Sequence, residues 1–139
     1  GVLGAVSHAS TLVILEEFLP HKKLMERLKR SALLLVLINK SELNQKGRIP
    51  AKLFEYIGLQ KKILLLSPGS NDAADLIEKH GLGVAFNYKD VESQKNFLKK
   101  TINLTNNYQP DANTIHSFHR SARAKEVDQI IRQLLAWKD

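Results

Sequence analysis

Three short apolar runs in the middle of the chain constrain its fold more than any other feature. They are residues 32–38, 63–66 and 83–86, and none of them alternates apolar with polar side chains as a half-exposed strand does. Continuous apolarity over so few residues predicts strands that are buried on both faces. Two weaker runs, residues 12–15 and 2–6, are interpreted as a fourth and a fifth strand.

Helical patterns separate and follow these runs. Apolar residues recur among charged and amide residues in residues 22–30, 71–80 and 90–102, and residues 114–137 are predicted to form a long final helix. Gly81 suits a left-handed cap at the end of the second of these helices. Strand and helix alternating through short connections predict parallel pairing with helices on both faces. The predicted fold is therefore α/β, a doubly wound and mostly parallel sheet with a long C-terminal helix.

The composition excludes several classes of protein. A chain of 139 residues, 43% of them hydrophobic and 25% charged, predicts one folded domain over residues 1–139. The absence of cysteine excludes a disulfide framework, a thiolate metal site and a cysteine nucleophile. His116 and His119 have no third ligand nearby in the sequence, so no metal site is predicted. Without an apolar span of about 20 residues or a secretory signal pattern, we expect a cytoplasmic protein.

The charge of the chain favours anionic partners. Lys and Arg number 21 against 14 Asp and Glu, a net charge of +7. Residues 21–30 hold five of these basic residues and one acidic residue. A solvated helix face explains such a cluster without any partner. The alternative to an enzyme is a non-catalytic α/β interaction module, which would bind a polyanion or a protein partner through this basic helix.

The loop after the first central strand is the first candidate for chemistry, because ligands of open α/β sheets bind beyond the carboxyl ends of the strands. Residues 39–49 are polar and lead to Pro50, a favourable residue at a helix start. Gly47 and Arg48 lie just before that start. Unpaired backbone N–H groups there predict a phosphate site.

The helix of residues 51–58 has an apolar and a polar side. At 100° per residue, the residues predicted to face the sheet are Leu53, Phe54 and Ile57, and those on the opposite side are Lys52, Glu55 and Tyr56. Glu55, one turn into the helix, is positioned to accept two hydrogen bonds from a ribose diol. The alternative is an i,i+3 ion pair of Lys52 with Glu55 on a surface helix.

Residues 47–57 (GRIPAKLFEYI) and 61–66 (KKILLL) resemble the donor-binding stretch of GT-B glycosyltransferases. The similarity is to the retaining, group-1 or family-four-like type found in bacterial polysaccharide biosynthesis. Three flanking segments are similar to the same family, namely FLPH at 18–21, GLGV at 81–84 and FHR at 118–120. The pattern is specific in the middle of the chain and loose at both ends.

The resemblance covers about residues 12–135 and implies a Rossmann-like domain that binds a nucleotide-sugar. The residues it places in that site are Gly47, Arg48, Pro50, Lys52 and Glu55. Glu55 would hold the ribose, and the others would lie beside the diphosphate or on its approach. The nucleotide-sugar is the substrate, and neither a cofactor nor a metal is implied, because the helix dipole and basic side chains supply the positive field.

The chain departs from the family at two points. Many relatives carry a second glutamate eight positions before the one that binds ribose, where this chain has Gly47. The family's basic residues for the diphosphate usually lie near the start of this domain, and residues 1–10 contain no Lys or Arg to match them. The family also has an N-terminal acceptor domain, which 139 residues cannot hold as well. We therefore expect the C-terminal half of a two-domain enzyme, inactive alone, with catalytic residues unknown. The full enzyme would move a sugar to a saccharide or lipid-linked acceptor in the cytoplasm or at the inner face of the membrane, with no nucleic-acid partner.

Overall fold

The computed structural model describes residues 14–39, 47, 49–103 and 108–136. Its helices and strands, in chain order, are α1 (His21–Lys29), β1 (Leu33–Leu37), α2 (Ala51–Gly58), β2 (Lys62–Ser67), α3 (Asp72–Lys79), β3 (Gly83–Asn87), α4 (Val91–Asn103), α5 (Ala112–Ser117) and α6 (Arg120–Ala136). The three central apolar runs form strands, as predicted. Among the described residues, no helix is both long and apolar enough to cross a bilayer.

The three strands form one parallel sheet in the order β1-β2-β3. The register sets Val36 beside Leu65 and Leu65 beside Ala85. Parallel neighbours cannot be joined by a tight hairpin, so each connection must cross back over the sheet. α2 and α3 are these crossings, and the predicted α/β fold is confirmed.

One face of the sheet carries the main core. Alternate strand residues share a face, so β1 and β2 present Val36, Ile38, Ile63 and Leu65 to the same side. The helices that cover this side are α2, α3 and α5, through Leu53, Ile57, Ala73, Ala74, Ile77 and Ile115. Each of these helices contacts the sheet with one side only, which explains why each carries a single apolar stripe.

The opposite face is covered only in part. Phe86 of β3 contacts Phe97 of α4, with ring centroids 5.8 Å apart, and Lys62 Nζ lies 5.2 Å from the centre of the Phe97 ring. Helices therefore flank both faces, as a doubly wound fold requires. Leu35 and Leu37 of β1 remain 47% exposed, so burial of this strand on both faces was a wrong prediction. α4 follows β3 at the far edge and contacts that side of the sheet.

The predicted strand at residues 12–15 is wrong over its described half. Ile14 and Leu15 form no strand and are 77% and 62% exposed. A strand needs a hydrogen-bonded neighbour, and no described strand pairs with this segment. The predicted strand at residues 2–6 lies outside the described residues.

The single helix predicted over residues 114–137 is two helices. α5 starts after an Asp111 cap, whose carboxylate accepts a hydrogen bond from the Thr114 N–H at 2.7 Å. It ends at Ser117, and Phe118 is its C-terminal cap. The Phe118 ring packs edge-on against His80, with centroids 5.2 Å apart, and this contact anchors the turn before α6. The long C-terminal helix is α6, which buries none of its described residues.

Two glycines are required by the geometry around β3. Gly81 has a φ of 62° and caps α3 in the left-handed region, as predicted. Gly83 faces the backbone of β2 so closely that a Cβ atom there would lie 2.0 Å from the Ile63 carbonyl oxygen. The tight β2–β3 pairing therefore depends on glycine at position 83.

We predict that Gly83→Ala lowers the free energy of unfolding by about 1–3 kcal/mol or more, because the added methyl pushes the two strands apart. Gly58→Ala is the matched control, since a Cβ atom there meets nothing within 4 Å. The control is expected to be unchanged or up to about 1 kcal/mol more stable. Urea unfolding of both variants checks this, and equal midpoints would contradict the close approach at Gly83.

A second prediction concerns Asp111. Hydrogen bonding from the Thr114 backbone N–H, the largest cause, and from the Thr114 side chain holds the pKa of Asp111 below its usual 3.8. A carboxyl with a lowered folded-state pKa stabilises the fold above pH 3.8 and loses that contribution as the pH falls through its lower, folded value.

Asp111→Asn keeps a capping oxygen but has no charge to titrate. Between about pH 5 and pH 2, the wild-type free energy of unfolding should therefore fall more steeply than that of the variant. Thermal or urea unfolding across this range measures the difference. Parallel curves for the two proteins would show that the Asp111 carboxylate does not contribute.

Candidate functional site

The predicted site lies around the start of α2. β1 ends at Leu37 and α2 begins at Ala51, so the helix starts at the carboxyl edge of the parallel sheet, where ligands of such sheets bind. Pro50, Lys52 and Glu55 lie within the residues that begin this helix. Arg48, also predicted for the site, lies outside the described residues.

The N-terminus of α2 has no side-chain cap. Pro50 stands at the cap position, and the first turn contains no acidic residue. The first N–H groups of an α-helix lack their usual acceptor four residues back and carry a partial positive charge. In α2 the Leu53 N–H already donates to the Pro50 carbonyl oxygen at 2.9 Å, so the anion position rests on the N–H groups before it. Lys52 is exposed and adds a full positive charge in the same turn. This helix start is therefore suited to an anion such as a phosphate.

The backbone N–H of Gly47, predicted to lie on the approach to a phosphate, is bonded to another helix instead. Gly47 adopts a left-handed φ of 79°, and its N–H donates a hydrogen bond to Asp72 Oδ2 at 2.5 Å. Because Asp72 begins α3, this bond ties the loop to the neighbouring helix. The Gly47 N–H is thus occupied, and the Asp72 carboxylate next to it opposes an anion. The start of α2 is the better phosphate position of the two.

Glu55 pairs with a residue that the sequence did not indicate. Its Oε1 lies 3.2 Å from Nε2 of His21, the first residue of α1, and both side chains are largely exposed. Among the described residues, Lys52 and Glu55 do not form the i,i+3 ion pair that was the alternative prediction. Sequence reasoning missed His21 because the two partners lie 34 positions apart and share no motif.

The faces of α2 were predicted correctly at two of three core positions. Leu53 and Ile57 are buried, as expected, but Phe54 is 43% exposed and its predicted contact with the sheet is wrong. Phe54 follows Leu53 by 100° and so lies at the edge of the apolar stripe. Tyr56, predicted on the polar side, packs partly against the core. Its burial and, to a lesser extent, the neighbouring Glu55 raise the pKa of its hydroxyl.

The exposed side of α2 forms one wall of an open groove, and the turn from α5 to α6 forms the other. The groove encloses about 600 Å³ and is lined by Ala51, Phe54, Glu55, Gly58, Phe118, His119, Arg120 and Arg123. The Phe54 and Phe118 ring centroids are 6.3 Å apart. The break between α5 and α6 creates this groove, and so a continuous final helix could not have predicted it.

A smaller cavity of about 230 Å³ lies at the carboxyl ends of β2 and β3. Asp75 and Glu78 line it, and Glu78 Oε1 accepts a hydrogen bond from the Ala85 N–H at 3.2 Å. Asn71 caps α3 by accepting a hydrogen bond from the Ala74 N–H at 3.0 Å. With its helix start already capped and two carboxylates in its wall, this cavity is unfavourable for a phosphate.

The histidines do not assemble a metal site among the residues that the structure describes. His116 and His119 stack with ring centroids 6.0 Å apart. No group of three or more His, Cys, Asp or Glu side chains in the described part of the chain is placed to hold a metal ion.

Comparisons of the chain with protein-family models, with curated proteins and with solved structures find no match. The fold defines the class, an α/β domain with a Rossmann-like parallel sheet flanked by helices. The features of this domain to which a function can be assigned are the groove, the start of α2 and the basic helix α1.

We predict that Glu55→Ala changes the free energy of unfolding by only about 0–1 kcal/mol, because the His21–Glu55 pair is exposed and screened by solvent. Ile57→Ala, two residues further on and on the buried face, should cost about 2–5 kcal/mol. Urea unfolding of the two variants measures this contrast. A large loss of stability in Glu55→Ala would mean that this residue holds the fold rather than a ligand.

Proposed function

We propose that this chain is the donor-binding domain of a glycosyltransferase that moves a sugar from a nucleotide-sugar to a saccharide or lipid-linked acceptor. One observation carries the proposal. At the carboxyl edge of the sheet, α2 has an uncapped start and, one turn later, the exposed carboxylate of Glu55. The resemblance of residues 47–57 to the donor-binding stretch of GT-B enzymes supports the same role.

The chemistry follows the order of groups along α2. The N–H groups at its start bind the diphosphate, and the Lys52 ammonium adds to their positive field. Glu55 accepts hydrogen bonds from the two ribose hydroxyls. Four residues of helix separate Ala51 from Glu55, a rise of about 6 Å, which is comparable with the reach from a diphosphate to its ribose. His21 holds the Glu55 carboxylate until the ribose replaces it as donor.

Sugar transfer needs stabilisation of the leaving nucleoside diphosphate. Preorganised N–H dipoles and a lysine supply it in the proposed site without any metal. In a two-domain enzyme the acceptor would come from a second domain, and the donor would bind here as a substrate. Such an enzyme works in the cytoplasm or at the inner face of the membrane, where nucleotide-sugars are consumed.

A second candidate function rests on α1. This helix buries none of its residues, and Lys22 and Lys23 project from it into solvent. A basic helix that buries none of its residues suits a module that binds a polyanion or an acidic protein surface. Of its cations, Arg27 is engaged by Glu16.

Titration with UDP, GDP and ADP tests the first proposal. A ligand at ten times its Kd should raise the free energy of unfolding by about 1.4 kcal/mol, which shifts the melting temperature measurably in a domain of this size. Glu55→Ala should abolish the shift. Glu92→Ala, which removes an exposed carboxylate from α4, is the matched control and should bind as the wild type does.

The same titration with heparin separates the two functions. For a basic module, the logarithm of the heparin affinity should fall linearly with the logarithm of the salt concentration. This result, together with no binding of the three diphosphates, would contradict the donor domain and favour the basic module. Saturable binding of one diphosphate that depends on Glu55 would contradict the module.

A further inference from the structure

The groove beside α2 has the shape and surface of a site for a flat ring. Its walls include the half-exposed Phe54 and the Phe118 ring, inclined at 48° to each other. Gly58 also lines the groove, and a Cβ atom added there meets nothing within 4 Å. Aromatic side chains that are open to solvent are the platforms on which nucleobases stack.

The groove follows the side of α2 that carries Glu55. Ala51 and Glu55 line it as well as Gly58, so it runs along the helix from its start to its last turn. The rise from Glu55 to Gly58 is about 4.5 Å. A ribose held by Glu55 would therefore lie in the wall of this groove, beside its two aromatic rings.

Two arginines, Arg120 and Arg123, line the groove. The Arg123 guanidinium lies 5.7 Å from the Phe118 ring centre and pairs with Glu126 at 2.7 Å. Arg120 lines the groove and makes no ion pair with any residue that the structure describes. A guanidinium only donates hydrogen bonds, so it matches bases that present carbonyl oxygens. Guanine and uracil do so, whereas adenine presents an amino group next to its acceptor nitrogen.

We propose that this groove binds the base of the donor nucleotide, by stacking on Phe54 and Phe118, and that Arg120 selects a keto base, guanine or uracil, over adenine. The inference rests on the proposed function, because it assigns Glu55 to the ribose of the same ligand. It adds a base site that lies between α2 and the α5–α6 turn.

The test measures the affinities of GDP, UDP and ADP by calorimetry for the wild type, for Glu55→Ala and for four further variants of the whole chain. Gly58→Leu fills the groove, and Glu92→Leu, which adds the same side chain at an exposed position of α4 outside the groove, is its control. Arg120→Gln removes the unpaired cation, and Arg132→Gln, whose cation pairs with Asp128 on the same helix, is the matched control. Thermal melting of each variant verifies that it is folded.

We expect the wild type to bind GDP or UDP about tenfold or more tightly than ADP. Gly58→Leu should weaken the preferred diphosphate at least tenfold, since base stacking is lost. Arg120→Gln should reduce the preference over ADP, and the two controls should bind as the wild type does.

Other results would overturn the inference, each in a distinguishable way. Unchanged binding by Gly58→Leu, with binding still lost in Glu55→Ala, would place the base elsewhere and leave the proposed function standing. Loss in Gly58→Leu with an unchanged base preference in Arg120→Gln would refute the role of Arg120. Weakening by both groove variants but not by Glu55→Ala would keep the base site and refute the ribose assignment. Absence of binding by the wild type would refute both proposals.

Discussion

Parallel pairing of β1, β2 and β3 is the constraint on which the rest of the structure depends. Parallel neighbours must be joined by a crossing segment, so α2 and α3 lie over the sheet and each begins at its carboxyl edge. The pairing is close enough that Gly83 has no room for a side chain against Ile63. This packing determines where the N-termini of the helices, which carry a partial positive charge, are available to a ligand.

Local patterns predicted the parts of the fold that local physics decides. The three apolar strands, the buried Leu53 and Ile57, and the left-handed Gly81 each follow from a few neighbouring residues. Contacts between distant residues could not be predicted in this way. The break at Phe118 depends on packing against His80, and the exposed leucines of β1 depend on where α4 lies.

The residues of the site also divide into those that local spacing predicts and those whose contacts depend on distant parts of the chain. Sequence spacing placed Pro50, Lys52 and Glu55 at a helix start, and the structure has them there. The partner of Glu55 and the hydrogen bond of Gly47 come from other helices and carry no local signal. The aromatic groove has no local signal either, because the helical period puts Phe54 on the core side of α2 and the pattern of residues 114–137 predicts a continuous helix across the turn after α5.

The side-chain charges around the starts of α2 and α3 determine which of these two helix ends is the better position for an anion. The start of α3 is capped by Asn71 and surrounded by Asp72 and Asp75, whereas the start of α2 has no cap and no acid in its first turn. Two neighbouring helix ends with the same backbone dipole thus differ in the charge of the side chains around them. An anion should prefer α2 for that reason alone.

The helical period lets α2 serve the core and a ligand at the same time. Leu53 and Ile57, four residues apart, lie on its buried stripe, while Lys52, Glu55 and Gly58 recur every three residues on its open side. Because the two sets occupy different faces, substitutions on the open side change the groove with little loss of packing. Binding and stability can therefore be separated by mutation in this helix.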